Sequence, residues 1–512
     1  MNDRFSWPER MFRACACGDG CGSSLVRAAA ALLPIAAAAL LLTGCMSAPV
    51  PAGSNVAWVP PQDARTTNGV WSAVRAQAVD FTRLLSLAEL TDIALRNNPA
   101  SRAAWSEARA AAAHVEEARA TFMPTVTATA EASRRRTAAE PSSFDQDYLK
   151  YGPGLDMSYL VLNFGGGRKA AVEAALQTVY AADYSFNRAI QDTLFSVEVA
   201  YYGLVSAQAG IEAAEASVKD ATTALDVAQE RAAAGVGTQL DVLQAQARHD
   251  QSLYGLASAQ GAFKTARGGL AQAIGVPADA PLQVVAPSAD VPAAPASQDV
   301  QRMIDDALSR RPDIAALSAT LAAAESAAKG VASTLWPSLY LNADLSRDAY
   351  ETMGGSAFQD DDWSFGGGLS LQWTVFDGYL TRSSIRAAQA RADSARALLQ
   401  QAELAASAAV WSGYQNYATA LEKHRFSTAY LKSASATYDL ALDSYKAGLT
   451  SILDLLTAES QLAQARSQSI AARQEVFTAL ANLAYATGLL EKGGADPTRD
   501  LFSTPMTKES QP

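Results

Sequence analysis

Few side chains in this 512-residue chain are of a type and spacing that could do chemistry. Cys15, Cys17 and Cys21 form a C-x-C-x3-C cluster of metal-ligand type, and Cys45 is the only other cysteine. His114, His249 and His424 lie far apart. They lack the Cys, Asp or Glu at ligand spacing that a zinc site requires, so they read as helix-surface residues. Gly165-Gly166-Gly167-Arg168 has neither the Lys-Ser/Thr ending of a phosphate loop nor dinucleotide spacing, and reads as a flexible corner. Asp241 and Asp454 stand at matching places in two A-G-x4-L-D-x-L segments. There the start of a helix would favour a carboxylate through its dipole. No nucleophile, base and orienting group fall together, so neither an enzyme nor a cofactor is expected.

The matched aspartates belong to a larger repetition, 213 residues apart. Ala94-Leu95-Arg96-Asn97-Asn98-Pro99 returns as Ala307-Leu308-Ser309-Arg310-Arg311-Pro312, and Phe122-Met123-Pro124 returns as Leu335-Trp336-Pro337. Ala234-Gly235 returns as Ala447-Gly448, and Ile274-Gly275 as Thr487-Gly488. A slip of one residue occurs where Leu162-Asn163 meets Phe376-Asp377. Solenoid repeats have periods of roughly 20–50 residues, so this is an internal duplication of one composite plan.

The N-terminus is a targeting segment and stands apart from the fold. Arg4, Arg10, Arg13 and Arg27 precede the apolar run Ala28–Leu42, which is shorter than the ~20 residues of a bilayer-spanning helix. Leu42-Thr43-Gly44-Cys45 resembles the lipobox of bacterial lipoproteins, which implies that Cys45 carries the acyl groups. With no cysteine after Cys45, disulfides and thiolate metal sites are not expected beyond it. The net charge of −11 argues against nucleic acid, which requires clustered Lys and Arg. The 49% hydrophobic content excludes a disordered acidic tail.

The elements follow from periodicity. An Ala-rich helical pattern runs from about Ser86 to Thr121 and ends at Pro124. The period then changes from 3.6 to 2. Val126, Ala128, Ala130 and Ala132 alternate with polar residues along Thr125–Ser133, and Leu155, Met157, Tyr159 and Val161 mark a second strand. Arg134–Asp147 reads as the loop between them. The second repeat supplies Ser338–Ser346 and Trp363–Val375. One greasy and one hydrophilic face is the pattern of outer-membrane barrel strands. Long proline-free helices are predicted for Gly165–Ala234 and Gly378–Lys446, and shorter ones for 238–274 and 450–488. The short helices 86–121 and 238–274, stacked end to end, would match one long helix.

Four strands cannot close a barrel, and open edges are not tolerated in lipid. Two copies would give eight strands with a filled interior, whereas three give twelve and a lumen. The expected fold is therefore an α+β membrane protein. A trimeric 12-stranded β-barrel, four strands per chain, runs into a long α-helical coiled-coil barrel.

These residues resemble the outer membrane efflux proteins of the TolC-like type, and within them the lipidated OprM and NodT members. The resemblance covers about residues 86–490. It implies a signal peptide at 1–44, a lipidated lead-in at 45–85, repeats at 86–285 and 299–490, a linker at 286–298 and a tail at 491–512. It further implies a homotrimeric passive duct in the outer membrane, reaching into the periplasm. The implied partners are a periplasmic adaptor, an inner-membrane pump of the RND type and outer-membrane lipid. By match to the family's tip motif, Asp241, Asp454, Tyr445 and Thr450 fall at the periplasmic gate, and Gly235, Gly237 and Gly448 at tips that meet the adaptor. The positions that carry a strengthening Arg and acid elsewhere in the family hold Thr450 and Thr457 here. A duct for type I protein secretion and a non-conducting structural lipoprotein stand as alternatives, and the transported substrate is not specified by the sequence.

Overall fold

The computed structural model describes residues 83–137, 146–286, 300–352 and 360–490. Cys45 and the expectations for the leader, most of the linker and the tail lie outside those residues. The first repeat runs α1 (Leu87–Asn97), α2 (Pro99–Ala120), β1 (Thr125–Thr137), β2 (Gln146–Asn163), α3 (Gly167–Ala233) and α4 (Gln239–Ala273). The second runs α5 (Val300–Arg310), α6 (Pro312–Ala332), β3 (Ser338–Thr352), β4 (Asp360–Gln372), α7 (Leu380–Lys446) and α8 (Ile452–Ala486). Both long helices have 67 residues, which is about 100 Å at 1.5 Å per residue.

Three boundaries differ from the periodicity reading. The helix expected over 86–121 is two helices, broken at Asn98. Pro99 disfavours helical backbone in the residue before it, and Asn98 is extended, with its side chain accepting from the Ala100 amide at 2.8 Å. The strands also extend further upward than the alternation suggested. Arg134–Thr137 continue β1, paired with Gln146–Leu149 of β2, because ladder hydrogen bonds are indifferent to side-chain polarity. At its other end β4 stops at Gln372, so Trp373 and Val375 lie outside the strand. Gln372 pairs with Ser338, the first residue of β3; Pro337, which precedes it, has no amide to donate.

The four strands form one antiparallel sheet in the order β1-β2-β3-β4. Its polar face is a hydrogen-bonded ladder. Ser158 donates to Asn342 and Asn342 to Ser370, both at 3.2 Å, and Ser346 meets Ser364 at 2.7 Å. On the other face, Phe365, Leu369 and Leu371 are largely exposed. At the corners below the sheet, Asn163 accepts from the Gly167 amide at 2.7 Å and Asp377 from the Thr381 amide at 2.8 Å. The two corners share one chemical device and differ by the one-residue slip. Among the described residues no helix is long and apolar enough to cross a membrane.

The helices form a sheet-like wall. Helix α3 lies against α2 and α4 end to end, as the summed lengths required, and also against α6 and α8 of the second repeat. Helix α7 has α5, α6 and α8 beside it. Its other side carries an apolar stripe at near-heptad spacing: Leu404, Trp411, Phe426 and Leu440, each more than half exposed. The repeat-equivalent positions on α3 are Gln191, Glu198, Ala213 and Val227. Of these, Gln191, Glu198 and Val227 are buried.

Glu198 is 4% exposed, and one of its carboxylate oxygens has no hydrogen-bond partner. Burial pushes its pKa from 4.5 to about 7. The unfolded chain then releases this proton before the folded one does. Stability accordingly falls as pH rises from about 4.5 to 7, and the whole penalty persists above that window. At ~1.4 kcal/mol per pH unit the penalty is about 3 kcal/mol. Glu198→Gln should therefore raise the melting temperature at pH 8 and leave it nearly unchanged at pH 4.5; equal effects at both pH values would contradict the burial argument.

Candidate functional site

Both helical hairpins end in the same turn. At the first, the Val236 amide donates to the Arg231 carbonyl and the Gly235 amide to the Ala232 carbonyl; at the second, Leu449 donates to Ser444 and Gly448 to Tyr445. Gly235 and Gly448 have φ of 74° and 80°, left-handed values that glycine adopts without cost at a helix C-terminus. Gly237 is constrained differently, since a Cβ there would lie 2.9 Å from the Ala232 nitrogen. Two glycines thus allow the tight turn at the first tip, and one at the second.

The next residues start the returning helices. Thr238 accepts from the Asp241 amide at 3.2 Å, and the Asp241 carboxylate accepts from the Thr238 amide at 3.0 Å. Ser451 and Asp454 do the same at 3.3 and 3.1 Å, with a further bond from the Ser451 hydroxyl at 2.7 Å. Each pair is a capping box, which satisfies amides that the helix itself leaves open. The hydrogen bonds from Ser451 hold the Asp454 carboxyl below its ordinary range. Both aspartates are therefore held rigidly at the end of the tube by their own turns.

Tyr445 lies 2% exposed in a core drawn from both hairpins, including Val227 and Ala228 of α3, Ala245 of α4, Tyr438 of α7 and Leu455 of α8. Burial first, and the nearby Asp241 charge second, push its hydroxyl pKa up. The hydroxyls of Tyr445 and Thr450 are buried without a hydrogen bond among the described residues. Thr457 is exposed, and its hydroxyl donates back to the Leu453 carbonyl of its own helix at 2.7 Å.

At the tips themselves the two hairpins are joined by Arg231, which periodicity and motif matching both passed over. Its guanidinium donates to the Tyr445 carbonyl at 2.9 Å and the Lys446 carbonyl at 3.3 Å. It also lies 4.9 Å from the centre of the Tyr445 ring. A signal for it existed in the repeat. At an offset of 213, Arg231 faces Ser444 and Tyr445 faces Ala232. The paired residues thus fall at positions in which the two tips differ.

The outer surface of both tips is apolar. Val236, Leu240, Leu449 and Leu453 are each more than 60% exposed, and they too are repeat equivalents. The histidines do not join this region as a group. His114 contacts Glu117 at 2.8 Å on α2, and His249 lies 3.5 Å from Asp250 on α4.

A four-stranded sheet with open edges, mounted on about 100 Å of paired helices that end in capped tips, is one sector of a membrane-anchored tube. The outer membrane efflux protein family model matches residues 90–276 and 303–489, most of both repeats. The chain belongs to that family, and it is an outer-membrane efflux channel protein that extends into the periplasm. It is 31% identical to Protein CyaE of Bordetella pertussis over 80% of this chain and 86% of that one. To the pyoverdine export outer membrane protein OpmQ of Pseudomonas aeruginosa it is 28% identical, over 90% and 96%. In fold it is similar to the outer-membrane channel OprN (TM-score 0.67, 24% identity), covering 84% of this chain and 98% of that one. CusC is similar too (TM-score 0.69, 20% identity), with 84% and 96% covered.

Proposed function

We propose that three copies of this chain form a passive exit duct that an inner-membrane pump, through a periplasmic adaptor, loads with small molecules. The sheet supports this reading most directly. Its free edges β1 and β4 require pairing in lipid, and three copies supply the twelve strands that leave a lumen. The α7 stripe carries the same message along the helices. On α3 the equivalent positions face α8 of the same chain, so Leu404, Trp411, Phe426 and Leu440 are covered by α4 of the next copy. That contact is head-to-tail, the kind that closes a ring.

In this duct the hydrogen-bonded polar face of the sheet lines the pore, and the capped tips form its periplasmic end. Asp241 and Asp454, fixed by their turns, present carboxylates at that constriction, with Tyr445 and Thr450 beside them. The tip leucines and valine form the docking surface for the adaptor, with Gly235, Gly237 and Gly448 giving that surface its tight shape. Cys45 supplies the lipid anchor. The name of the relative OpmQ, an export protein for pyoverdine, supports a small exported molecule over a protein.

A carboxylate ring at a constriction favours cations. The purified protein, reconstituted between asymmetric salt solutions, should show a cation-selective reversal potential. Asp241→Asn with Asp454→Asn should bring it close to zero, and selectivity that survives both changes would place the constriction elsewhere.

A further inference from the structure

We infer that a second latch, set within the wall above the tips, holds the two hairpins of each chain together and must yield when the tube opens. It rests on the trimeric-duct reading and concerns residues away from the tip motif. Asp220 of α3 accepts from Arg466 of α8 at 2.6 Å. Arg248 of α4 donates to Glu459 of α8 at 3.1 Å. Tyr438 of α7 donates to the Asp220 carbonyl at 3.2 Å. Both helices of each hairpin thus contribute one or more groups.

These groups lie inside the wall. Side-chain exposure is 19% and 23% for Asp220 and Arg466, and 18% and 1% for Arg248 and Glu459. Arg248 also donates to Gln251 at 2.8 Å, whereas the second carboxylate oxygen of Glu459 has no partner. Removing one member of a buried pair leaves an uncompensated charge, so the pairs separate only at high cost. Glu459 and Arg466 are 7 and 14 residues beyond the start of α8, or about 10 and 21 Å above the tip. Arg231 and Tyr445 form the lower tie, and these pairs form the upper one.

The repeat shows that the latch is specific to one kind of seam. If neighbouring copies meet as the two hairpins of one chain do, the matching positions at the seam between copies are Ser433 with Leu253 and Gln461 with Gln246. None is charged. Seams with buried ion pairs therefore alternate with neutral seams around the ring, three of each. Both seam types would bury similar apolar surface, but only the seam within a chain resists sliding electrostatically. Separation of the second hairpin from the first is controlled at this latch as well as at Arg231.

The test uses the full-length protein reconstituted in a planar bilayer, with trimer content and melting temperature measured alongside. Arg466→Gln should raise resting conductance on the order of tenfold. Reversal of the pair, Asp220→Arg with Arg466→Asp, should return it toward the wild-type value. Wild-type conductance in folded Arg466→Gln trimers, while Arg231→Ala trimers conduct more, would overturn the latch and leave the duct intact. A reversed pair that conducts as freely as Arg466→Gln would overturn it too. Silence in every variant would overturn the duct reading, and the latch with it.

Discussion

Arg231→Ala should open the resting channel. The guanidinium spans the two hairpins through charge-assisted bonds to the carbonyls of Tyr445 and Lys446, and bonds of this kind contribute roughly 1.5–3 kcal/mol each. Part of that is recovered because Arg231 is only partly buried and the carbonyls can turn to water. A net loss of about 2 kcal/mol per chain changes an equilibrium about 30-fold. Open-channel time in bilayer recordings should rise accordingly. Arg231→Lys should fall between, since an ammonium can keep the carbonyl bonds made by one guanidinium nitrogen but loses the second nitrogen's bond to the Val236 carbonyl and the flat contact with the Tyr445 ring. Equal open time in all three proteins would remove Arg231 from the gate.

The second large effect separates two leucines that are two residues apart. Leu455 is fully buried in the core shared by both hairpins. Leu455→Ala should destabilise the tip by about 2–5 kcal/mol through lost contacts and a cavity. It should lower the melting temperature and raise resting conductance together. Leu453, 63% exposed on the outer tip, contributes little to folding, so Leu453→Ala should melt and conduct as the wild type does. Its effect should appear in cells, as reduced export with unchanged protein level, because an exposed apolar patch is the surface that a partner covers. Loss of stability in Leu453→Ala, or normal stability in Leu455→Ala, would reverse the assignment of inner and outer tip faces.

Much of this architecture was legible because its signals are local and occur twice. A switch of period from 3.6 to 2 at Pro124 and Pro337 located the start of strands β1 and β3. The A-G-x4-L-D-x-L turns located the ends of four helices within a residue or two. What periodicity missed depended on backbone chemistry or on contacts across the chain. Arg134–Thr137 looked like loop because charged side chains hide a ladder made of main-chain bonds. The break at Asn98 was written in the following proline, but the Ala-rich pattern on both sides masked it. Arg231 could not be recognised from its own helix, where it is simply a basic residue in the last turn, as a helix C-terminus favours. Its partners are carbonyls on the opposite hairpin, and only comparison of the repeats, with Ser444 in its place, marks it. For Asp241 and Asp454 the helix-start reading is the one visible in the structure, since each residue closes a capping box on its own helix; their part in a gate is the proposal that the conductance measurements test.

Single-channel recording of the purified, lipid-reconstituted trimer is the most direct check on the central claim, a conducting tube held shut at its hairpin tips. The wild-type protein should give small, infrequent steps at rest, and Arg231→Ala combined with Asp454→Ala should give large, sustained ones. Folded trimers that stay silent in both proteins would contradict a duct and favour a structural lipoprotein of the envelope.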